Sequence, residues 1–410
     1  MIGGPSSCPG SGLATSAGTS TAGEWLSRSW IVVLFSNLPI SLGIFVVPAL
    51  QPLHWIAALS ALTLLMLARP ASADIDRPLA FPVAMLAYLA LCLATYVLQG
   101  GGDPVVLRQR LLGVVVAVLG YLCFTSSDRA LLAARRALVW VVLFSVAVNV
   151  YDITHPLSLV PADSEFATLG RAAGFFMNPN QAGAALILGF ALSLGAVPPR
   201  WRVLYSVIVA GGVALTLSRG ALVGLALVFA ALIFEGRTLR GGQIAKVAAL
   251  TVGAGYVFWL VFSAELQSRF NIDPALVLDR ILWILDPSGR ADFSQEERVD
   301  LAERGWLQFV ASPYFGNGLG STELWELRTS THNLYLMLAS DFGIVGWFIL
   351  PLLLIAVVRR SVLALTGGVA AAFLLFWALL SHNVLSEYYI LLAISLMAAV
   401  SASEAGGRGV

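Results

Sequence analysis

Residues 79–98 read LAFPVAMLAYLALCLATYVL, a run of twenty residues without an acidic or basic side chain. A helix of about 20 apolar residues is long enough to cross the hydrocarbon core of a bilayer. Only helices and closed barrels satisfy every backbone polar group in lipid, so the repeated runs predict an all-α polytopic membrane protein with about 12 transmembrane helices. The other apolar runs occupy approximately residues 30–50, 53–68, 107–125, 134–151, 182–198, 202–217, 220–235, 244–263, 333–357, 361–380 and 385–402.

The composition of the whole chain of 410 residues supports this class. Hydrophobic residues make up 58% and charged residues only 11%, whereas a soluble domain carries about 25% charged residues. These values exclude a soluble enzyme, a disordered chain and a nucleic-acid binder with a basic face. The three cysteines (Cys8, Cys92 and Cys123) are too few and too scattered for a disulfide framework or a thiolate metal site.

The distribution of arginine and lysine predicts the orientation in the membrane. The short connections on one side carry most of the basic residues, which by the positive-inside rule places both termini in the cytoplasm. Two outer segments, 152–181 and 264–332, are long enough to suggest function. The predicted division is a flexible cytoplasmic tail over 1–29, helices 1–9 over 30–263, an outer loop over 264–332, helices 10–12 over 333–402, and a second cytoplasmic tail over 403–410.

Two arginines stand at the starts of predicted spans on the outer side. Arg171 is flanked by glycines and is followed by Asn178-Pro179-Asn180. Glycine permits close approach of the backbone to a ligand, and a helix N-terminus presents unpaired amides to an anion. Arg219 lies in a turn so short that it must sit at or below the membrane surface, where an arginine is costly unless paired or facing a polar cavity. The alternatives are a helix-capping turn with a snorkelling Arg171 and nonspecific binding of a lipid phosphate by Arg219.

A histidine opens the predicted tenth span, directly after the long outer loop. His332 lies in Ser330-Thr331-His332-Asn333, and its ordinary pKa near 6.5 suits a general base at neutral pH. A capping or interfacial role is the alternative. His382, in the last outer turn, is a weaker candidate for which a structural role is favoured. Upstream, apolar spacing near 296–309 predicts an amphipathic outer helix that carries Arg298.

Several common catalytic signatures are missing. The sequence contains no Walker A motif, no His-Glu-x-x-His and no Gly-x-Ser-x-Gly, so neither ATP hydrolysis nor standard hydrolase machinery is supported. Asp74-Ile75-Asp76 has the acidic spacing of metal-dependent nucleotide-sugar transferases, but its predicted position in a short inner loop favours a solvated turn. The four histidines are too dispersed to indicate a zinc site.

The ordered motifs resemble the O-antigen ligase and polymerase superfamily of bacterial membrane glycosyltransferases. The resemblance covers roughly residues 165–350, and the first five spans match only in hydropathy. The motifs that carry it are Arg171 with Asn178-Pro179-Asn180, then Ser218-Arg219-Gly220, Arg298, the Gly316-x-Gly318-x-Gly320 turn, and His332-Asn333-Leu334-Tyr335 with Gly343 and Gly346.

This resemblance implies a GT-C-like fold and a metal-independent, inverting transfer without cofactors. The donor would be an undecaprenyl-diphosphate-linked glycan, bound at a periplasmic active site in the bacterial inner membrane. Arg171 and Arg219 would hold the diphosphate, and His332 would act on the acceptor hydroxyl. The remaining candidates for substrate binding are Arg298, Asn178, Asn180, Asn333, Arg328 and His382.

The family divides by acceptor, and the sequence leaves that choice open. Lipid A-core oligosaccharide is slightly favoured, although the 264–332 loop contains more acidic than basic residues. The alternatives are a polymerase that joins carrier-linked repeat units and a protein O-oligosaccharyltransferase. A transporter or flippase of lipid-linked glycan is the competing class. Spans nearly free of charge apart from Asp341 argue against it.

Overall fold

The computed structural model describes residues 13–47, 51–68, 78–99, 102–155, 157–159, 170–236, 238–262, 282, 293–323, 330–358 and 366–405. Within these ranges the regular elements are all helical, which confirms the all-α class. The α-helices are α1 (Leu13–Trp30), α2 (Leu38–Phe45), α3 (Pro52–Leu67), α4 (Ala80–Leu98), α5 (Pro104–Phe124), α6 (Asp128–Thr154), α7 (Pro179–Ser193), α8 (Arg202–Leu215), α9 (Arg219–Glu235), α10 (Gly241–Phe262), α11 (Phe293–Ala311), α12 (Leu334–Phe342), α13 (Gly346–Val358), α14 (Thr366–Trp377) and α15 (Tyr388–Ala405).

Four segments among the described residues are long and apolar enough to cross a membrane. They are α4, α5, α6 and the stretch Leu334–Val358, which joins α12 to α13. Shorter apolar helices occur at Pro52–Leu67, Gly367–Trp377 and Tyr388–Glu404. These lengths and compositions identify a helical membrane protein, while the count of twelve spans stays a prediction.

The amino-terminal segment differs from expectation. We predicted a flexible tail over 1–29, but most of it forms α1, which packs against α3 and α6. Ser27 is buried and donates a hydrogen bond to the carbonyl of Cys123 over 3.5 Å. Trp30 donates from its indole nitrogen to the hydroxyl of Thr63 over 3.0 Å. The prediction took glycine, serine and alanine as signs of a flexible chain, whereas small residues also permit close packing of helices in membranes.

The first predicted span is also interrupted. A π-helix over Ile31–Phe35 continues α1, and Asn37 then adopts a left-handed φ of 57° before α2 begins. The side-chain amide of Asn37 donates to the carbonyl of Phe175 over 2.9 Å. Through this hydrogen bond, the residue at the break connects the first part of the chain to the segment that carries Arg171.

A pair of glycines fixes the turn after α11 to the end of α12. Gly316 and Gly343 both have left-handed φ values, 74° and 66°. A Cβ on Gly316 would collide with the carbonyl of Asp341, and one on Gly343 would collide with that of Tyr314. The predicted helix and its glycine turn are thus confirmed, and the turn packs against the carboxyl-terminal end of α12, whereas His332 precedes the other end of that helix. The position of this helix on the outer side stays a prediction.

Candidate functional site

The Arg171 segment is held at the amino-terminal end of α7. The guanidinium of Arg171 donates to the carbonyl of Thr216 over 3.2 Å and to Oδ1 of Asn180 over 3.3 Å. Asn178 is the N-cap of α7, and its side-chain oxygen accepts from the backbone amide of Asn180 over 2.8 Å. Asn178 therefore has the capping role that was weighed as the alternative, while Asn180 positions Arg171.

The same Asn180 oxygen also joins α7 to α9. Ser218 donates its hydroxyl to Oδ1 of Asn180 over 2.7 Å and is itself the N-cap of α9. Arg219 follows as the first residue of that helix. Asn180 thus joins the N-termini of α7 and α9, with Arg171 bound to it and Arg219 one residue beyond Ser218. Helix N-termini and arginines both favour a bound anion.

His332 stands in a strained turn before α12. Its φ is 51°, and its ring lies 5.3 Å from that of His382, measured between centroids at an interplanar angle of 64°. Asn333 is the N-cap of α12, with its side-chain oxygen accepting from the Leu336 amide over 3.2 Å. The structure therefore gives Asn333 a structural contact and brings the two histidines together.

The surroundings of His332 favour its neutral form. Burial lowers the pKa of His332 below its ordinary value, the positive charge of Arg298 lowers it further, and Glu297 acts in the opposite direction. Arg298 and Glu297 reach this position because α11 packs on α12, where the Ser340 hydroxyl donates to the Gly305 carbonyl over 3.1 Å. A neutral imidazole at pH 7 is the state that a general base requires.

A cavity of about 740 Å³ is lined by His382 and by Ser330, two residues before His332, and its volume is within the range of small-molecule sites. It joins the arginine segment through Gln181, which follows Asn180 and donates to Oε1 of Glu387 over 2.8 Å. Burial raises the pKa of Glu387 to about 7, and this hydrogen bond opposes the rise. The residues that line the cavity are Ile40, Asp103, Gln109, Glu323, Ser330, His382, Asn383, Ser386, Glu387 and Tyr388.

The candidate residues therefore fall into two groups connected through Gln181. Arg171, Asn180 and Arg219 form one group, and the histidines with Arg298 form the other. A further link is close packing at Gly220, where a Cβ would lie 2.8 Å from Leu380, two residues before His382. Arg328 lies outside the described residues. The catalytic and binding roles stay predictions.

Left-handed residues concentrate in these segments. Of the five non-glycine residues with positive φ among the described residues, four are Asn37, Met177, Leu217 and His332. Backbone strain of this kind costs of order 1–3 kcal/mol per residue and is found preferentially at functional sites. These residues lie on both sides of the hydrogen bond between Gln181 and Glu387. That distribution agrees with one site to which the arginine group and the histidine group both belong.

Sequence reasoning missed part of this site. It did not single out Arg110, which the structure buries in α5 with 2% of its surface exposed. Among the described residues, Nε and Nη1 of Arg110 have no hydrogen-bond partner. Asp341 accepts from the amide and hydroxyl of Ser321 over 3.0 and 2.9 Å. Glu387 was also missed, although an acidic residue near the start of the predicted run over 385–402 was a readable signal.

No group of three or more metal-ligating side chains that could hold an ion occurs in the part of the chain that the structure describes. The expectation of a reaction without metal or cofactor is therefore left to experiment.

Part of the chain is similar to a known family. Residues 204–351 match the model of the O-antigen ligase family. This match supports the resemblance to O-antigen ligases and polymerases over that part of the chain. The matched region contains Arg219, Arg298 and His332, whereas Arg171 and Glu387 lie outside it. No curated protein matches the sequence.

Proposed function

We propose that this protein transfers a glycan from undecaprenyl diphosphate to an acceptor hydroxyl. The reaction takes place on the periplasmic face of a bacterial inner membrane and inverts the anomeric centre. The observation that carries the proposal is the position of Asn180 and Gln181. Asn180 accepts hydrogen bonds from Arg171 and from Ser218, the residue directly before Arg219, and Gln181 contacts Glu387 in the wall of the cavity that contains His382.

The arginine group suits the diphosphate of the donor. Guanidinium groups are planar and always charged, and they pair with phosphate oxygens in a bidentate manner. Negative charge develops on the diphosphate as the bond between the sugar and its phosphate oxygen breaks. Fixed cations and helix N-termini stabilise that charge without needing a metal ion.

The histidine group suits the acceptor. In the proposed step, neutral His332 removes the proton from the acceptor hydroxyl while its oxygen forms the new bond to the anomeric carbon. Undecaprenyl diphosphate leaves from the opposite face, so the configuration at that carbon is inverted. A positioned base of this kind contributes roughly 10²–10⁴-fold to rate.

Two alternatives share some of these features. A polymerase that joins repeat units uses the same donor chemistry and differs from a ligase acting on lipid A-core, or from a protein O-oligosaccharyltransferase, only in its acceptor. A transporter of lipid-linked glycans would also use buried charges such as Arg110 and Asp341. The family match favours the transferase over the transporter.

The charges around His332 give a test of its role as base. Replacing Arg298 with glutamine removes a nearby positive charge, so the pKa of His332 rises and the acidic limb of the activity profile moves to higher pH. Glu297→Gln is the matched variant, and it is expected to move that limb to lower pH. The measurement is kcat/KM for transfer from pH 4.5 to 8. Shifts in the same direction for both variants contradict the assignment.

The proposed function itself is tested by reconstituting the full chain in bacterial lipids. The donor is a synthetic undecaprenyl-diphosphate oligosaccharide, and the candidate acceptors include lipid A-core and a second carrier-linked repeat unit, with EDTA present. We expect an inverted glycosidic product and stoichiometric release of undecaprenyl diphosphate. Movement of intact donor across the bilayer without product favours the transporter. Activity that requires added divalent ions contradicts the metal-independent mechanism.

A further inference from the structure

The wall of the cavity is acidic. Three of its lining residues are carboxylic acids (Asp103, Glu323 and Glu387), and its named lining in the described part of the chain contains no lysine or arginine. The acids come from three separate parts of the chain: before α5, after the glycine turn and before α15. Their convergence is a property of the fold that is not visible as a charge cluster in the sequence.

The rest of the wall offers neutral hydrogen-bonding groups. Gln109, Ser330, Asn383 and Ser386 contribute amides and hydroxyls. Nδ1 of His382 is buried and has no hydrogen-bond partner among the described residues. A buried polar atom left without a partner is costly, so a ligand that supplies one would be favoured.

The nearest arginines do not reverse the charge of this wall. Arg110 lies behind it and is close enough to Glu323 to lower the pKa of that carboxyl, although burial raises the pKa more strongly and Asp103 adds to the rise. Arg108 is exposed on α5 and close to Tyr388 at the cavity. With both arginines counted, the cavity still has no excess of positive charge for a phosphorylated or carboxylated ligand.

We propose that this cavity binds the acceptor and selects one without acidic groups, namely a neutral or amine-bearing sugar. Its hydroxyl and amine protons would be donated to Asp103, Glu323 and Glu387. This inference rests on the proposed transferase function and adds the chemical class of the acceptor. It favours an uncharged repeat unit over a strongly anionic lipid A-core.

The same charge distribution keeps the two substrates apart. The anionic diphosphate is attracted to Arg171 and Arg219. The acidic wall beyond Gln181, in which Glu387 with its pKa of about 7 is only partly ionised at neutral pH, repels it from the acceptor cavity. Discrimination of this kind uses repulsion against the wrong ligand as well as attraction to the right one. In the transfer itself, the acceptor hydroxyl loses its proton to His332, and the diphosphate leaves on the arginine side.

The test is equilibrium binding to the full chain in lipid nanodiscs without donor. The probes are a panel of disaccharides, each offered both uncharged and as its 6-phosphate. We expect at least one uncharged member to bind, and to bind at least tenfold more tightly than its phosphate. A panel that does not bind, or a phosphate that binds as tightly as its uncharged partner, overturns the inference.

A combined variant tests whether the acids of the cavity wall cause the preference for uncharged probes. Asp103→Asn retains the N-cap of α5, and Glu387→Gln retains an oxygen that accepts from Gln181. Together with Glu323→Gln, these changes are expected to reduce the tenfold preference to less than threefold. The control is Asp128→Asn, an exposed acid in the first turn of α6, which should leave the preference unchanged. An unchanged preference in the combined variant also overturns the inference.

Failure of this inference is distinguishable from failure of the proposed function. Transfer from the diphosphate donor without selectivity for uncharged probes removes the acceptor assignment alone. Selective binding of uncharged probes without any transfer removes the transferase function and leaves a sugar-binding cavity.

Discussion

Replacing His332 with alanine is expected to lower kcat for glycan transfer by roughly 10²–10⁴-fold, the usual contribution of a positioned general base. The variant should still bind the donor, because the proposed diphosphate contacts come from Arg171 and Arg219. The large effect is expected because His332 is the proposed base and because of its position in the structure. His332 occupies a left-handed turn beside His382, next to the cavity assigned to the acceptor. The measurement is single-turnover transfer with donor affinity recorded separately.

The matched control is His54→Ala. His54 is exposed in the first turn of α3 and belongs to neither candidate group. Its replacement should leave transfer within about twofold of the wild type, as expected for a surface change worth less than about 0.5 kcal/mol. Equal rates for His332→Ala and the wild type would remove His332 from the reaction.

Arg219→Ala is the second change with a large expected effect. Removing one preorganised contact to developing negative charge typically raises the barrier by about 2.7–4 kcal/mol, or roughly 10²–10³-fold in rate. Arg219→Lys should recover only part of the loss, because an ammonium group cannot form the bidentate pair. Arg171→Ala is less specific, since it also removes the hydrogen bonds to Thr216 and Asn180. The measurement is kcat/KM together with the affinity for undecaprenyl diphosphate.

Arg200→Ala controls for the loss of an arginine at another helix end. Arg200 is exposed before α8 and lies over the ring of Trp201 at 5.9 Å, away from both candidate groups. It should leave transfer within about twofold of the wild type. An equal loss for Arg200 and Arg219 would indicate a general effect on membrane association in place of diphosphate binding.

Hydropathy predicted most helices because a membrane imposes a simple requirement on length and polarity. The run over 79–98 became α4 (Ala80–Leu98), and the run over 385–402 became α15. The pattern failed where a local break or close packing decides the structure. Asn37 divides the first run and Gly343 divides the run over 333–357, each with a left-handed backbone that hydropathy does not register.

The candidate site was only partly readable from sequence. Motifs singled out Arg171, Arg219 and His332 because each is a basic or titratable residue near the start of a predicted span, where such residues are unusual. The acidic cavity was missed because its members are ordinary when taken singly, and they meet only through tertiary packing. His382 shows this most clearly, since a structural role was favoured for it and the structure places it in the cavity wall.

The account is tested most directly by a cryo-EM structure of the full chain with bound undecaprenyl diphosphate. We expect the diphosphate between Arg171 and Arg219 at the N-termini of α7 and α9, with its lipid chain leading into the bilayer and His332 facing the same cavity. A diphosphate bound on the opposite face of the membrane, or on a surface from which these three residues are all remote, would contradict the account.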